Sequence, residues 1–260
     1  MRVWAVANQK GGVGKTTSAV TLGGLLAERG ERVLLLDLDP HGSMTSYFRY
    51  DADTMQHSSF DLFADDAPTL EEIKSLILTT PQENLSLIPS SMALATIERK
   101  AAAEGMGLKV AKALAQVWDL FDYVLIDSPP VLGALMINAL AASERLLIPV
   151  QTEFLAIKGL ERMIRTISMV TRSLKKDLEH TVIPTMFDRR TQASVGSLRE
   201  LRNSYPETIW AAMIPVDTRF RDASRQGTTP SLFDSKARGV VAYRSLLNYL
   251  LSQQEPRQQV

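Results

Sequence analysis

The chain has no cysteine. That excludes disulfides, thiol nucleophiles, cysteine-bound zinc and cysteine-held iron–sulfur clusters. It also has no apolar stretch near the ~18 residues that a membrane-crossing helix needs. Its opening, MRVWAVANQKGG, holds too short an apolar run for a secretory leader. A soluble, cytoplasmic protein is expected. Net charge is missing as well: 29 Lys plus Arg balance 29 Asp plus Glu. A dedicated nucleic-acid binder carries a basic excess, so any DNA contact must come from a local patch and should be weak and salt-sensitive. No internal repeat or linker divides the 260 residues. One α/β domain over residues 1–251 is expected, large enough to bury a core unaided, with a polar tail over 252–260 (SQQEPRQQV).

What is present is an alternation of apolar runs and helical spacing. Arg2–Ala7, Arg32–Leu38, Tyr123–Asp127 and Arg145–Val150 read as buried strands, joined by Leu85–Pro89, Thr181–Met186 and Ile209–Ile214. Thr16–Arg29 has helical spacing (Val20, Leu22, Leu25, Leu26), with Gly30 as its stop. Long helices are expected over Met92–Trp118 and Phe154–Leu174, and shorter ones near 194–204 and 237–251. The acidic stretch 49–68 (Asp51, Asp53, Asp61, Asp65, Asp66) reads as surface connection with a short turn of helix. This order predicts a doubly wound, mostly parallel sheet with helices on both faces. Ligands of such sheets bind at the carboxyl ends of the strands.

Lys10–Thr17 reads KGGVGKTT and falls between the first strand and the first helix, the context of a phosphate-binding P-loop. Gly11, Gly12 and Gly14 permit close approach to phosphate, and the N–H groups from Gly11 through Val13 to Thr17 supply positive potential. Lys15 is placed to reach the β- and γ-phosphates, and the Thr16 hydroxyl to ligate Mg²⁺. The usual outer glycine of this pattern is Gln9 here. Lys10 lies beyond easy reach of its own nucleotide. It reads either as a solvated loop lysine or as a group that acts in trans on a partner's nucleotide, as an arginine finger does.

KGGVGKTT with its extra lysine resembles the deviant Walker A box of the ParA/MinD family (SIMIBI class), and the resemblance runs from Met1 to about Leu251. It implies an ATPase using ATP and Mg²⁺, working as an ATP-bound sandwich homodimer in which a lysine like Lys10 crosses to the partner. LLLDLDPHG places Asp37 and Asp39 on one face of an extended segment. Its resemblance to the family's DxDPQG segment assigns Asp39 to the attacking water and Asp37 to the Mg²⁺ shell. The alternative is that both cap the following turn. His41 stands where many relatives have Gln. YVLIDSPP ends an apolar run in Asp127, the Walker B position for Mg²⁺, and Ser128-Pro129-Pro130 resembles the family's switch II. A guanine-specific Asn-Lys-x-Asp motif is absent. Pro215 and Asp217 match the family's Pro-x-Asp bordering adenine, which favours ATP over GTP; a plain Pro-Asp turn is the alternative.

Arg189, Arg190, Arg199, Arg202, Arg219, Arg221 and Arg225 gather late in the chain. The resemblance implies that Arg189, Arg190, Arg219, Arg221 and Arg225 hold nucleoid DNA non-specifically; a scattered, solvated set is the alternative. The last helix, with Leu246, Leu247, Leu250 and Leu251, carries little positive charge beside its apolar residues, so it is expected to cap the core and not to lie on a membrane. The expected function is a positioning ATPase whose cargo is a replicon or a polar protein array such as a chemotaxis cluster, with a partner that stimulates slow hydrolysis. A nucleoid or polar location follows. The start of the chain, without a long DNA-binding extension, favours the small chromosomal or cluster-positioning subgroup. A MinD-like membrane-associated ATPase and a metabolic ligase or kinase of the same class are the alternatives.

Overall fold

The computed structural model describes residues 1–64, 68–100 and 106–253. Asp65 and Asp66 of the acidic stretch, the middle of the expected 92–118 helix and most of the polar tail lie outside the described residues. The strands are β1 (Arg2–Val6), β2 (Val33–Asp37), β3 (Leu78–Thr79), β4 (Leu85–Ile88), β5 (Tyr123–Asp127), β6 (Arg145–Gln151) and β7 (Glu179–Thr185). They form one sheet in the order β3-β4-β2-β5-β1-β6-β7. Every neighbouring pair is parallel except β3 and β4.

The helices are α1 (Lys15–Ala27), α2 (Ser43–Tyr47), α3 (Leu70–Ser75), α4 (Ala95–Lys100), α5 (Lys109–Gln116), α6 (Ala134–Ala142), α7 (Phe154–Ser173), α8 (Gln192–Ser204), α9 (Arg219–Gln226), α10 (Pro230–Phe233) and α11 (Arg238–Ser252). Side chains alternate across each strand. On β1, Val3 and Ala5 enter one core with α5, α6 and α7, while Trp4 and Val6 enter the other with α1 and α11. Apolar residues on both faces are what a parallel sheet covered twice requires.

Gly30 ends α1 as expected. At φ 84° it donates to the Ala27 carbonyl at 2.9 Å, and Glu31 reaches back to Leu26 at 3.3 Å, a left-handed helix stop. Leu246, Leu247 and Leu250 of α11 are fully buried in the core. None of the described helices is long and apolar enough to cross a membrane.

Two expected elements differ. Ile209–Ile214 is not a strand. It touches the β7 side at Val182–Ile209 and, past its end, at Phe187–Pro215, as isolated bridges. Between these anchors Ala211 is exposed and the chain leaves the ladder. The single helix expected over Met92–Trp118 is broken. A 3-10 turn at Met92–Leu94 leads into α4, and another at Met106–Leu108 leads into α5, whose preceding residue Leu108 has non-helical φ −122°, ψ 9°.

Candidate active site

Sheet register assembles the site. Val6 and Asp37 both pair with Asp127, so the ends of β1, β2 and β5 arrive side by side. The loop between β1 and α1 takes left-handed dihedrals at Gly12 (φ 72°) and Gly14 (φ 94°), which side chains with a Cβ adopt only at a cost. Val13 is fully buried and anchors the loop: Thr185 Oγ1, from the end of β7, donates to its carbonyl at 2.9 Å. Asn8 Nδ2 donates to the Pro149 carbonyl at 2.7 Å, and Asn8 Oδ1 accepts from the Lys10 N–H at 2.9 Å. No side chain caps α1, so its first N–H groups remain available to an anion. Lys15, the first residue of α1, is buried and has no hydrogen bond or ion pair within bonding distance among the described residues. Its charge lies near the Asp127 carboxyl and borders a cavity, so its hydrogen-bonding capacity remains available to an anion.

The carboxylates have distinct environments. Thr16 Oγ1 donates to Asp127 Oδ2 at 2.5 Å. Asp127 Oδ1 is buried and accepts no hydrogen bond among the described residues. Burial pushes the Asp127 carboxyl well above the ordinary range, and the neighbouring Asp37 charge adds to the rise. An orphaned carboxylate oxygen beside a threonine hydroxyl suits a hard divalent cation, which favours oxygen ligands and the ionised carboxylate.

Asp37 differs. Its Oδ1 accepts from the Asp39 N–H at 3.1 Å, and its Oδ2 accepts from the Thr45 N–H at 2.9 Å and the Thr45 hydroxyl at 2.8 Å. Both oxygens are thus held by the turn that starts α2, which is the capping alternative. Burial raises this carboxyl too. Asp39 Oδ1 accepts from the His41 N–H at 3.0 Å and lies 2.9 Å from His41 Nδ1. The Asp39 carbonyl takes the Ser90 hydroxyl at 2.5 Å.

Two cavities meet here. One, about 430 Å³, is lined by the Gly11, Gly12 and Gly14 loop with Lys15, Thr16, Thr17, Asp39, His41 and Pro130. The other, about 290 Å³ and more apolar, is lined by Val13, Pro215, Val216, Asp217, Phe220, Arg221 and Tyr243. Gly14, Thr17 and Met186 border both. Asp217 faces the second cavity, but its carboxylate already accepts from the N–H groups of Arg219 (3.0 Å) and Gly239 (2.9 Å). It therefore shapes the cavity wall.

Lys10 does not line the phosphate-sized cavity. Its ammonium pairs with Glu153, the residue just before α7, and both side chains stay over a third exposed. The arginines separate. Arg189 and Arg190 share a cleft of about 490 Å³ with Arg238, although Arg190 also pairs with Asp188 at 2.7 Å. Arg219 is engaged by Asp222 and Asp234 and lies over the Phe233 ring. Arg221 turns to the apolar cavity, and Arg225 is exposed on α9. Arg202, on α8, donates to the Ala211 carbonyl.

Sequence reading missed Thr45, Ser90, Thr185 and Glu153. Thr45, Ser90 and Thr185 act through hydrogen bonds between segments far apart in the chain, which leave no local pattern. Glu153 did carry a signal, as an acidic residue at a helix N-terminus. Met186 announces itself only in the backbone, at φ 52°.

A family model described as an AAA domain matches residues 1–180. The chain is 37% identical over 247 residues to the sporulation initiation inhibitor protein Soj of Bacillus subtilis, covering 94% of this chain and 96% of that protein. The chain belongs to the ParA/MinD family of P-loop ATPases. A second relative in this ParA/MinD family is the chromosome partitioning protein ParA of Caulobacter vibrioides, 35% identical with 99% of this chain and 97% of that protein covered. Among solved structures, the chain is similar to cobyrinic acid a,c-diamide synthase from Mycobacterium smegmatis, solved with a bound ATP analog and magnesium. The TM-score is 0.81 at 35% identity, over 96% of this chain and 94% of that one. The fold, a mostly parallel seven-stranded sheet among the described residues, is the one these P-loop proteins share.

Proposed function

We propose that the chain is a ParA-like positioning ATPase in which Mg·ATP joins two copies face to face and the joined form holds DNA. One contrast carries the reading. Lys15 is buried and uncommitted beside the orphaned Asp127 oxygen, whereas the second loop lysine, Lys10, sits outside the phosphate cavity and is paired. Within one protomer Lys10 is tied to Glu153 and stays off the phosphate cavity; in a sandwich dimer it gains a partner's nucleotide to act on.

In this mechanism the N–H groups from Gly11 to Thr17 and the Lys15 ammonium grip the polyphosphate. The base enters the apolar cavity by Pro215 and Asp217. Thr16 and Asp127 would hold Mg²⁺, and Asp37 would steady that site by fixing the turn that carries Asp39. When bound, Mg²⁺ neutralises charge developing on the transferring phosphoryl group. Asp39, at the cavity mouth, orients the attacking water. Lys10 leaves Glu153 and crosses to the partner's nucleotide. Hydrolysis is slow until a cargo-bound adaptor completes this geometry. Loss of the γ-phosphate then removes the differential binding that favoured the dimer. The surface held is nucleoid DNA, through Arg189, Arg221 and Arg225, whose side chains make no ion pair among the described residues; Arg190 and Arg219 contribute less because Asp188, and Asp222 with Asp234, engage them.

Sedimentation of purified protein with Mg·ATP tests the reading. The Asp39→Ala variant should accumulate as dimer, and Lys10→Ala should bind ATP with ordinary affinity yet stay monomeric and hydrolyse about 10³-fold slower. Unchanged sedimentation and turnover in Lys10→Ala would reject the trans-acting lysine. The likeness to the diamide synthase supports one other reading, a ligase. That reading requires ATP turnover that depends on a small carboxylic acid and is indifferent to Lys10.

A further inference from the structure

The segment after β4 braces both loops that carry the site's carboxylates. At its start, Ser90 donates its hydroxyl to the Asp39 carbonyl at 2.5 Å, and its N–H to the Thr45 hydroxyl at 2.8 Å. A few residues on, in α4, the Glu98 carboxylate accepts from the N–H groups of Ala134 at 2.9 Å and Leu135 at 3.2 Å. Those two groups open α6, the helix that follows Asp127 through Ser128-Pro129-Pro130.

The way α6 is capped is unusual. Helix N-termini are normally satisfied by a Ser, Thr, Asp or Asn in the residue before the helix. That residue here is Gly133, which offers no side chain. The acceptor comes instead from 36 residues upstream. The two solutions exclude each other, because a Cβ on Gly133 would fall 1.6 Å from Glu98 Oε2. A local cap would satisfy the same N–H groups but would leave the loop free of α4. The carboxylate also places a negative charge at the positive end of α6. Pro129 and Pro130 stiffen the stretch between, since each fixes its own φ, and Pro130 lines the phosphate cavity. A shift at Gly133 is thus transmitted toward the nucleotide.

We propose that Glu98 is a positioning residue for hydrolysis: by capping α6 from α4 it ties the loop after Asp127 to the segment that holds Asp39, so the two carboxylate loops take up their working places together. This rests on the reading of the site as an ATPase.

The test compares the full chain with Glu98→Ala, Gly133→Ser and the double variant Glu98→Ala/Gly133→Ser. The readouts are melting temperature, affinity for Mg·ATP, and kcat and KM for hydrolysis. Glu98→Ala should lower kcat about tenfold with affinity and KM nearly unchanged, and should lower the melting temperature by a few degrees. Gly133→Ser alone should displace the flexible Glu98 carboxylate and cap α6 itself, so it should keep a near wild-type melting temperature while lowering kcat as Glu98→Ala does. The double variant has room for the serine, whose hydroxyl caps α6 locally, so its melting temperature should recover while kcat stays low. Recovery of kcat together with stability would reduce Glu98 to a helix cap and overturn the tie, as would wild-type kcat in Glu98→Ala. Should Glu98→Ala not fold, Glu98→Leu, which has no acceptor oxygen, is read the same way. A wild-type chain that binds Mg·ATP without turning it over sinks the ATPase reading and the tie with it. Wild-type turnover with an indifferent Glu98 sinks the tie alone.

Discussion

Asp37 and Asp127 sit fully buried on neighbouring strands, and burial raises the carboxyl pKa of both. The sign of the consequence follows from linkage. In the unfolded chain both titrate near ~3.9. Above that pH the unfolded state loses protons that the folded state retains, so stability falls as pH rises from about 4 into the neutral range. Without nucleotide, the protein should therefore melt higher at pH 5.5 than at pH 8, a difference that Mg·ATP narrows because a cation favours the ionised pair. Asp127→Asn removes the buried charge. It should flatten the pH dependence of the nucleotide-free stability while abolishing the Mg²⁺-dependent part of nucleotide stabilisation, both read by thermal melts. Equal melting temperatures for Asp127→Asn and wild type across that range would mean the pair is not strained. The residues of this site were readable in sequence wherever one local stretch supplies them: Lys10–Thr17 and Asp127 lie where their spacing placed them. Asp37 was readable as a carboxylate at a strand end, but its capping of α2 depends on Thr45, which no pattern singles out.

At the scale of elements, α1 is held closer to its neighbours than an ordinary helix. A Cβ on Gly24 would lie 2.8 Å from the Thr229 Cβ, and one on Gly23 would lie 2.8 Å from Leu35 Cδ2. Gly24→Ala gains about 1 kcal/mol of helix propensity, but overpacking costs about 1–3 kcal/mol, so a net loss of stability is expected in denaturant titration. Because α1 carries Lys15 and Thr16, nucleotide affinity should weaken as well. A stabilised Gly24→Ala would show that the contact relaxes freely. The main strands were legible because a parallel sheet covered twice demands unbroken apolar runs such as VLLL and YVLI. β3 was not, since two residues on an antiparallel edge carry no period. Residues 209–214 looked like a strand because Ile209, Trp210 and Ile214 are indeed buried. They reach the core from two anchor points, and the exposed Ala211 between them breaks the ladder. α9 escaped notice for the opposite reason: only Ala223 of its residues is buried, so there was hardly an apolar stripe to see.

For the whole molecule, a balanced charge leaves DNA retention to whatever cations the fold concentrates. The late arginines do not form one cluster. Arg219 is spent on Asp222, Asp234 and Phe233, and Arg190 on Asp188. Arg189 and Arg238, facing one cleft, and Arg225 on α9 make no ion pair among the described residues. They are, with Arg221 and Arg199, late arginines free to meet phosphates. If the dimer doubles this small set, binding should be weak and should steepen with the logarithm of salt by roughly one unit per phosphate contact. Replacing Arg189 and Arg238 by Ala should weaken DNA retention of the ATP form equally on unrelated sequences and flatten the salt slope, whereas Arg219→Ala should act mainly through lost stability. Electrophoretic shift assays of the Asp39→Ala dimer at graded salt decide this. A wild-type slope in the Arg189/Arg238 variant would move the DNA face elsewhere, and an ATP-bound dimer that ignores DNA even at low salt would remove the nucleoid from the proposed function.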